Sequence, residues 1–303
     1  MHPCVRIGQD LHPQEIRTPW SDLMPLAQSA DADIHYELRG DGPPIMLFAG
    51  TGYSGRTWHP SFVETLAAQH SVITFDHRGT GDSSRDTSEP YTTQMFGLDA
   101  LAVQRAAGAG PVHVVSHSMG GRVAQKMYFE DPSSTASIVF GASGAGPRRE
   151  PDFDRVGIPV SAALQIIELG YADYIRFKHR ENFFTDQYLL DHKDEVEWLD
   201  KRFMESGPSL RDYLRHVHAR QAHSAVARLH EICVPTLILV GTQDTRGTAS
   251  HLDGAYEMKN LLPSAQFRLL KGAKHGLFWE NRDETTKIVI EFVAMATGAM
   301  RAE

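Results

Sequence analysis

Ser118 stands between a β-rich run and a helical one. Pro111-Val112-His113-Val114-Val115 leads into Ser116-His117-Ser118-Met119-Gly120-Gly121, and Arg122-Val123-Ala124-Gln125-Lys126-Met127-Tyr128 follows. That is the setting of a nucleophile elbow, a sharp strand-to-helix turn that holds a hydroxyl out above a sheet. The turn strains the nucleophile's backbone, so the residues two away on either side must be small. Gly120 meets this need; Ser116 stands where glycine is usual and is the next smallest choice. Taken alone, the same residues would also make an ordinary βα turn that happens to contain a serine.

A serine hydroxyl becomes a good nucleophile only when a base takes its proton, and the base needs a partner to orient it. Sixteen histidines compete for the first role, so position decides. His275, in Lys271-Gly272-Ala273-Lys274-His275-Gly276, falls in a loop between the last apolar strand and the last helical run, with glycines on either side to keep the loop tight. Asp244, in Val240-Gly241-Thr242-Gln243-Asp244, follows the end of a strand. Serine, then acid, then base, each on a loop after a strand, is the order that brings the three together at one edge of a parallel sheet. The loop after the preceding strand, Gly141 to Gly146, holds no acid, and Glu280 lies too near His275 in sequence and reads as a loop or helix-start residue. An oxyanion would need two fixed N–H donors. Met119 supplies one at the start of its helix, where the dipole assists; Thr51, after Gly50 in the loop behind the Pro44–Phe48 strand, is expected to supply the other.

The elements that must carry these residues alternate. Asp33–Arg39 has period two and ends at Gly40-Asp41-Gly42, which reads as a hairpin turn. Strands follow at Pro44–Phe48, Ser71–Asp76, Val112–Val115, Ser137–Phe140, Thr236–Val240 and Gln266–Leu270. Helical spacing separates them at Trp58–Gln69, Thr93–Ala107, Arg122–Glu130, Ala219–Leu229 and Asp283–Met295. The expected fold is α/β, a mostly parallel sheet with helices on both faces. Between Arg148 and Arg215 the alternation stops and helical segments rich in aromatics take over, among them Phe153, Tyr174, Phe183, Phe203 and Tyr213. We expect a core of residues 1–146 and 216–303, with an extended N-terminal arm to about residue 21, and a helical cap over 147–215.

Composition narrows the function. At 303 residues the chain buries a sizeable core, and 41% hydrophobic with 22% charged residues is ordinary for a globular protein. A net charge of −8 disfavours nucleic acid as a partner. Cys4 and Cys233 are the only cysteines, which suggests neither a disulfide framework nor a zinc site. The first residues lack the apolar stretch of a secretory signal and no run is long enough to span a membrane, so a cytoplasmic location is expected. The sequence specifies no oligomeric state.

Together these residues resemble the α/β-hydrolase superfamily over nearly the whole chain. Ser116–Gly121 is similar to its elbow, and Asp76-His77-Arg78-Gly79-Thr80-Gly81-Asp82-Ser83 to its turn after an early strand. Gly241–Asp244 and Ala273–Gly276 are similar to its acid and base loops. The pattern looks closest to the capped esterase, enol-lactonase and cofactor-free haloperoxidase branch. Two departures are Ala49, where histidine often precedes Gly50, and Lys274, where glycine often precedes the base. The resemblance implies a serine hydrolase that needs no cofactor or metal and acts on a small, moderately hydrophobic ester or lactone. Carbon–carbon bond hydrolases use the same triad on ketones and are the alternative. A serine at the elbow disfavours haloalkane dehalogenases and epoxide hydrolases, which need a carboxylate there. Arg176, Lys178 and Arg180 in the cap could anchor a substrate carboxylate, or simply be its solvated face.

Three other readings compete. Gly50-Thr51-Gly52-Tyr53-Ser54-Gly55 is a G-x-G-x-x-G after a strand, with Asp76 near where a dinucleotide-binding protein places its ribose-binding acid. That reading leaves Ser118, Asp244 and His275 unexplained. A second is a ligand receptor on the same fold, against which the complete triad stands. A third takes His216, His218 and His223 as metal ligands, but residues two apart do not share a helix face. They are expected to be solvated or to pack within the cap.

Overall fold

The apolar runs of the sequence become one eight-stranded sheet in the computed structural model, which describes residues 25–85, 90–148, 151–152, 156–245 and 250–300, apart from the side chains of 299 and 300. The N-terminal arm and Phe153 lie outside the described residues. The strands are β1 (Leu26–Ser29), β2 (Ala32–Arg39), β3 (Pro44–Phe48), β4 (Ser71–Phe75), β5 (Val112–His117), β6 (Thr135–Gly141), β7 (Thr236–Gly241) and β8 (Gln266–Leu270). Their order in space is β1-β2-β4-β3-β5-β6-β7-β8. β1 with β2 and β2 with β4 are antiparallel; every pairing from β4 onward is parallel. Every residue of β5, β6 and β7 is buried, as expected of strands covered on both faces.

The connecting helices are α1 (Pro60–Ala67), α2 (Thr93–Ala106) and α3 (Met119–Glu130). After β6 come α4 (Val160–Leu169), α5 (Tyr171–Lys178), α6 (Asp186–Asp191), α7 (Lys193–Ser206) and α8 (Leu210–Gln221). After β7 follow α9 (His251–Leu261), α10 (Leu277–Glu280) and α11 (Arg282–Met300). Phe48, Phe96, Met127 and Met258 put α2, α3 and α9 on one face of the sheet; Phe62, Val289 and Phe292 put α1 and α11 on the other. Each fully buried side chain of this size contributes about 1.5–3 kcal/mol.

Two local expectations are corrected. Gly40 and Gly42 do make a tight turn, with φ of 74° and 125°, but β2 and β3 do not form a hairpin. β4 lies between them and pairs with β2 through Tyr36↔Phe75 and Leu38↔Ile73. Alternation along a strand shows that it has two faces but not which strand lies beside it. The hairpin is formed one strand earlier, by β1 and β2. The helix expected over Ala219–Leu229 is the end of α8 followed by a separate 3-10 segment, Val226–Glu231. The polar stretch Ala222-His223-Ser224 separates the two.

The helices between β6 and β7 share one apolar cluster with the sheet. Phe183, Phe203 and Tyr213 pack with Trp58, Phe278 and Trp279. Tyr53, from the loop after β3, stacks on Phe183 at 5.6 Å and meets Phe203 edge-on at 5.0 Å. α8 runs unbroken through residue 215, where the sequence suggested a boundary.

Candidate active site

Ser118 sits at the β5–α3 turn with φ 54° and ψ −116°, a conformation uncommon for a side-chain-bearing residue. Surrounding bonds hold the strained turn in place: Ser118 N–H donates to Gly141 O at 2.9 Å, and Ser143 Oγ donates to Ser118 O at 2.7 Å. A Cβ on Gly120 would lie 2.3 Å from Phe48 O, so that position has room only for hydrogen. Ser116 fits at the other small position because its hydroxyl donates across to Val139 O on β6 at 2.7 Å, fully buried.

Asp244 and His275 meet as the sequence suggests. His275 Nδ1–H donates to Asp244 Oδ2 at 2.7 Å, which leaves Nε2 as the nitrogen without the proton. Burial works to raise the Asp244 pKa. The charge of His275 and hydrogen bonds from His251 and His275 outweigh it and hold the carboxyl well below the usual range. The base loop is tied to the cap: His275 N–H donates to Asn182 O at 3.3 Å and Gly276 N–H to Phe183 O at 2.8 Å. Both acceptors lie in a π-helical turn, His179–Phe183. Lys274 accounts for its departure from the usual glycine by reaching Asp186 at 3.3 Å. Glu280 is the last residue of α10, not a helix start, and accepts from Thr185 N–H at 2.8 Å, a second tie to the cap.

His251 was not found from the sequence. Its Nδ1–H donates to the other oxygen of Asp244, Oδ1, at 3.1 Å, and its ring lies 4.2 Å from that of His275. Burial, then the charge of His275, pushes its pKa down to about 4, so it is neutral at pH 7. The signal was faint: one of sixteen histidines, seven residues past Asp244, at the first position of a helix that the sequence reading did not mark.

One cavity of about 820 Å³ is lined by Ser118, Met119, Thr51, Asp244, His251 and His275. Met119 heads α3, where the first N–H groups have no acceptor within the helix. Thr51 belongs to a loop closed by Tyr53 N–H to Gly50 O at 3.1 Å and by Gly52 N–H to His216 Nδ1 at 3.2 Å. His216 Nε2–H donates in turn to Arg78 O at 2.9 Å. This histidine was expected to be solvated or to pack in the cap; it is fully buried and braces the Thr51 loop. Burial pushes its pKa down to about 3, so it stays neutral and can accept from Gly52. His223 is likewise buried, between Thr93 Oγ1 at 2.9 Å and Gln125 Oε1 at 3.0 Å.

Among the described residues, two groups bring three possible metal-ligand atoms within 4.8 Å of one another, Asp244-His251-His275 and His35-Asp76-Asp82, and neither includes His216, His218 or His223. Both groups are already joined by hydrogen bonds between their own members. Asp76, the acid of the dinucleotide reading, is 1% exposed and accepts from His35 Nδ1 at 3.0 Å, Gly55 N–H at 2.8 Å and Asp82 N–H at 3.0 Å. A three-residue 3-10 turn, Gly55–Thr57, follows the glycines and α1 begins only at Pro60, so the loop does not open directly into a helix as a dinucleotide-binding loop does. Of the cap cations, Arg176 pairs with Asp173 at 2.6 Å and Arg180 with Asp200 at 2.9 Å, whereas Lys178 lines the cavity.

The family model described as alpha/beta hydrolase fold matches residues 43–282. A protein of Azorhizobium caulinodans provisionally named carbamate hydrolase RutD is 30% identical over 221 residues, 73% of this chain and 81% of the relative. Rhodomycin D methylesterase DauP of a Streptomyces species is 39% identical over 161 residues, 50% of this chain and 53% of that one. The enol-lactonase structure from Burkholderia xenovorans LB400 superposes with a TM-score of 0.76 at 21% identity, covering 89% of this chain and all of the other. Among the described residues no helix is long and apolar enough to cross a membrane.

Proposed function

The chain belongs to the α/β-hydrolase fold family, and from that premise we propose that it cleaves a carboxylic ester or lactone through an acyl-enzyme on Ser118. The supporting observation is that the Asp244–His275 pair and the strained Ser118 line one cavity with the N–H-bearing residues Thr51 and Met119. The methylesterase and enol-lactonase names of similar proteins are consistent with this chemistry.

His275 Nε2 takes the Ser118 proton as Oγ attacks the carbonyl carbon, and the carbonyl electron pair moves onto oxygen. Asp244 holds the imidazole in the needed tautomer and stabilises its charged form. The N–H groups of Met119 and Thr51 bind the oxyanion. As the C–O bond breaks, His275 protonates the departing alcohol, which in a lactone stays attached to the acyl chain. A water deprotonated by His275 then releases the acid and restores Ser118. The helices over the cavity, residues 147 to 215 by the division the sequence suggests and α8 to its end by the structure, act as a cap that sets substrate size. Phe183, Phe203 and Tyr213 give it apolar walls.

The test is hydrolysis of 4-nitrophenyl acetate and butyrate by wild type and Ser118→Ala. A pre-steady-state burst of about one equivalent, absent from the variant, is expected of an acyl-enzyme. Folded protein with neither burst nor turnover would overturn the proposal.

A further inference from the structure

Three cations line the cavity on three different elements: Arg122 in α3, Lys178 at the end of α5 and Arg220 near the end of α8. Among the described residues none of them has a carboxylate within ion-pair distance, although the neighbouring Arg176 and Arg180 both do. The acid on the cavity wall, Asp244, already has one histidine on each oxygen. Arg122 donates to the backbone carbonyl of Arg220, which joins α3 to α8. A guanidinium has five N–H donors, so most of this one remains uncommitted.

The grouping is electrostatically unfavourable while the cavity lacks an anion. Burial, then the Arg220 charge, pushes Arg122 down to about 9. The same two causes lower Lys178, against a weaker opposing pull from Glu181. Like charges gathered against aromatic walls destabilise one another unless something negative comes between them. A basic chain could produce such a pocket by accident, but this chain has a net charge of −8.

We propose that Arg122, Lys178 and Arg220 form an anion subsite, and that the substrate is an ester or lactone bearing a carboxylate a few bonds from the scissile carbonyl. This rests on the hydrolase reading above and narrows it. Arg122 lies in the first turn of α3, four residues beyond Ser118 at the head of that helix, a rise of about 6 Å if the helical spacing is extended back to Ser118. The spacing suits a short linker between carbonyl and anion. The two guanidiniums offer planar forks that match a carboxylate, and the lysine adds a point charge. The rest of the wall, including Tyr174, Tyr213 and Val217, suits a hydrocarbon linker.

The decisive comparison is the 4-nitrophenyl hemi-ester of adipic acid against 4-nitrophenyl methyl adipate, in which the carboxylate is capped. Wild type should favour the anion by at least about tenfold in kcat/KM, the scale of a hydrogen bond to a charged group. The preference should shrink with added salt and fall toward unity in Lys178→Gln and in Arg220→Gln. Two results would overturn the subsite: equal kcat/KM for the two esters in wild type, or a preference that survives in both variants. If neither ester is turned over, the hydrolase reading fails separately. Calorimetry of monomethyl adipate with Ser118→Ala then still decides the subsite. Binding that is lost when Arg220→Gln is added supports it, and no binding overturns it.

Discussion

His251 and His275 lie ring to ring, centroids 4.2 Å apart and planes tilted by 32°, and donate to opposite oxygens of Asp244. A carboxylate held by one donor can swing about its Cβ–Cγ bond; held by two, it presents a fixed oxygen to His275. In the proposed mechanism His251 is thus a positioning residue. Its loss should lower kcat about tenfold with little change in KM, the cost of a buried hydrogen bond to a charged group. The direction in pH also follows. Donation from His251 draws charge from Asp244 and weakens its hold on the His275 proton, so His251→Ala should move the acid limb of the kcat/KM profile to higher pH. His251→Asn, which keeps an N–H near the same place, should restore both. Full activity with an unshifted profile in His251→Ala would remove this residue from the site.

The orienting role proposed for Asp244 makes a stronger demand. In Asp244→Asn the amide offers N–H where His275 needs an acceptor, which favours the wrong imidazole tautomer. Asp244→Asn and His275→Ala should each lose at least about a hundredfold in kcat while remaining folded by circular dichroism. Near-normal turnover in either variant would show that another pair does the chemistry.

What the sequence revealed follows from how local each signal is. Ser118, Asp244 and His275 were legible because each lies where an apolar run ends in small residues, and chain order alone brings three such ends to one sheet edge. The strand pairing of β2 with β4 was not legible, because the turn at Gly40–Gly42 looks the same whether the next strand lies beside β2 or one place further on. His216 and His251 were missed for another reason. Their roles depend on partners 164 and 7 residues away, Gly52 and Asp244. Nothing in the types or spacing of the chain's histidines separates these two from surface ones. The cap's cavity-lining lysine, Lys178, stood out from Arg176 and Arg180 only once their acids were located.

Gly120 offers a test of the elbow that does not touch the reacting groups. A methyl there would sit 2.3 Å from Phe48 O, a backbone atom of the neighbouring strand, so either β3 or the start of α3 must move. Overpacking of this kind costs about 1–3 kcal/mol. Gly120→Ala should lower the melting temperature and reduce activity further than the folded fraction explains, since the elbow itself is displaced. Gly110→Ala, with nothing within 4 Å of its Cβ, is the control and should do neither. Unchanged Tm and kcat in Gly120→Ala would contradict the close approach.

Stability should also depend on pH through a histidine outside the site. His113 on β5 is buried between Ser137 Oγ at 2.8 Å and Thr297 Oγ1 at 3.1 Å. Burial, then the charge of His70, pushes its pKa down to about 4. The unfolded chain takes up the proton near pH 6.5 and the folded one only near 4, so between these values the unfolded state binds more protons. Stability therefore falls as pH drops through that window, by up to about 1.4 kcal/mol per pH unit from this one group. Replacing His113 by Gln removes the titration. Urea unfolding between pH 7 and 4.5 should then show a shallower decline than wild type, even if the variant starts less stable at pH 7. Parallel declines would mean that His113 takes up its proton alike in the folded and unfolded chains, and that other groups carry the acid sensitivity.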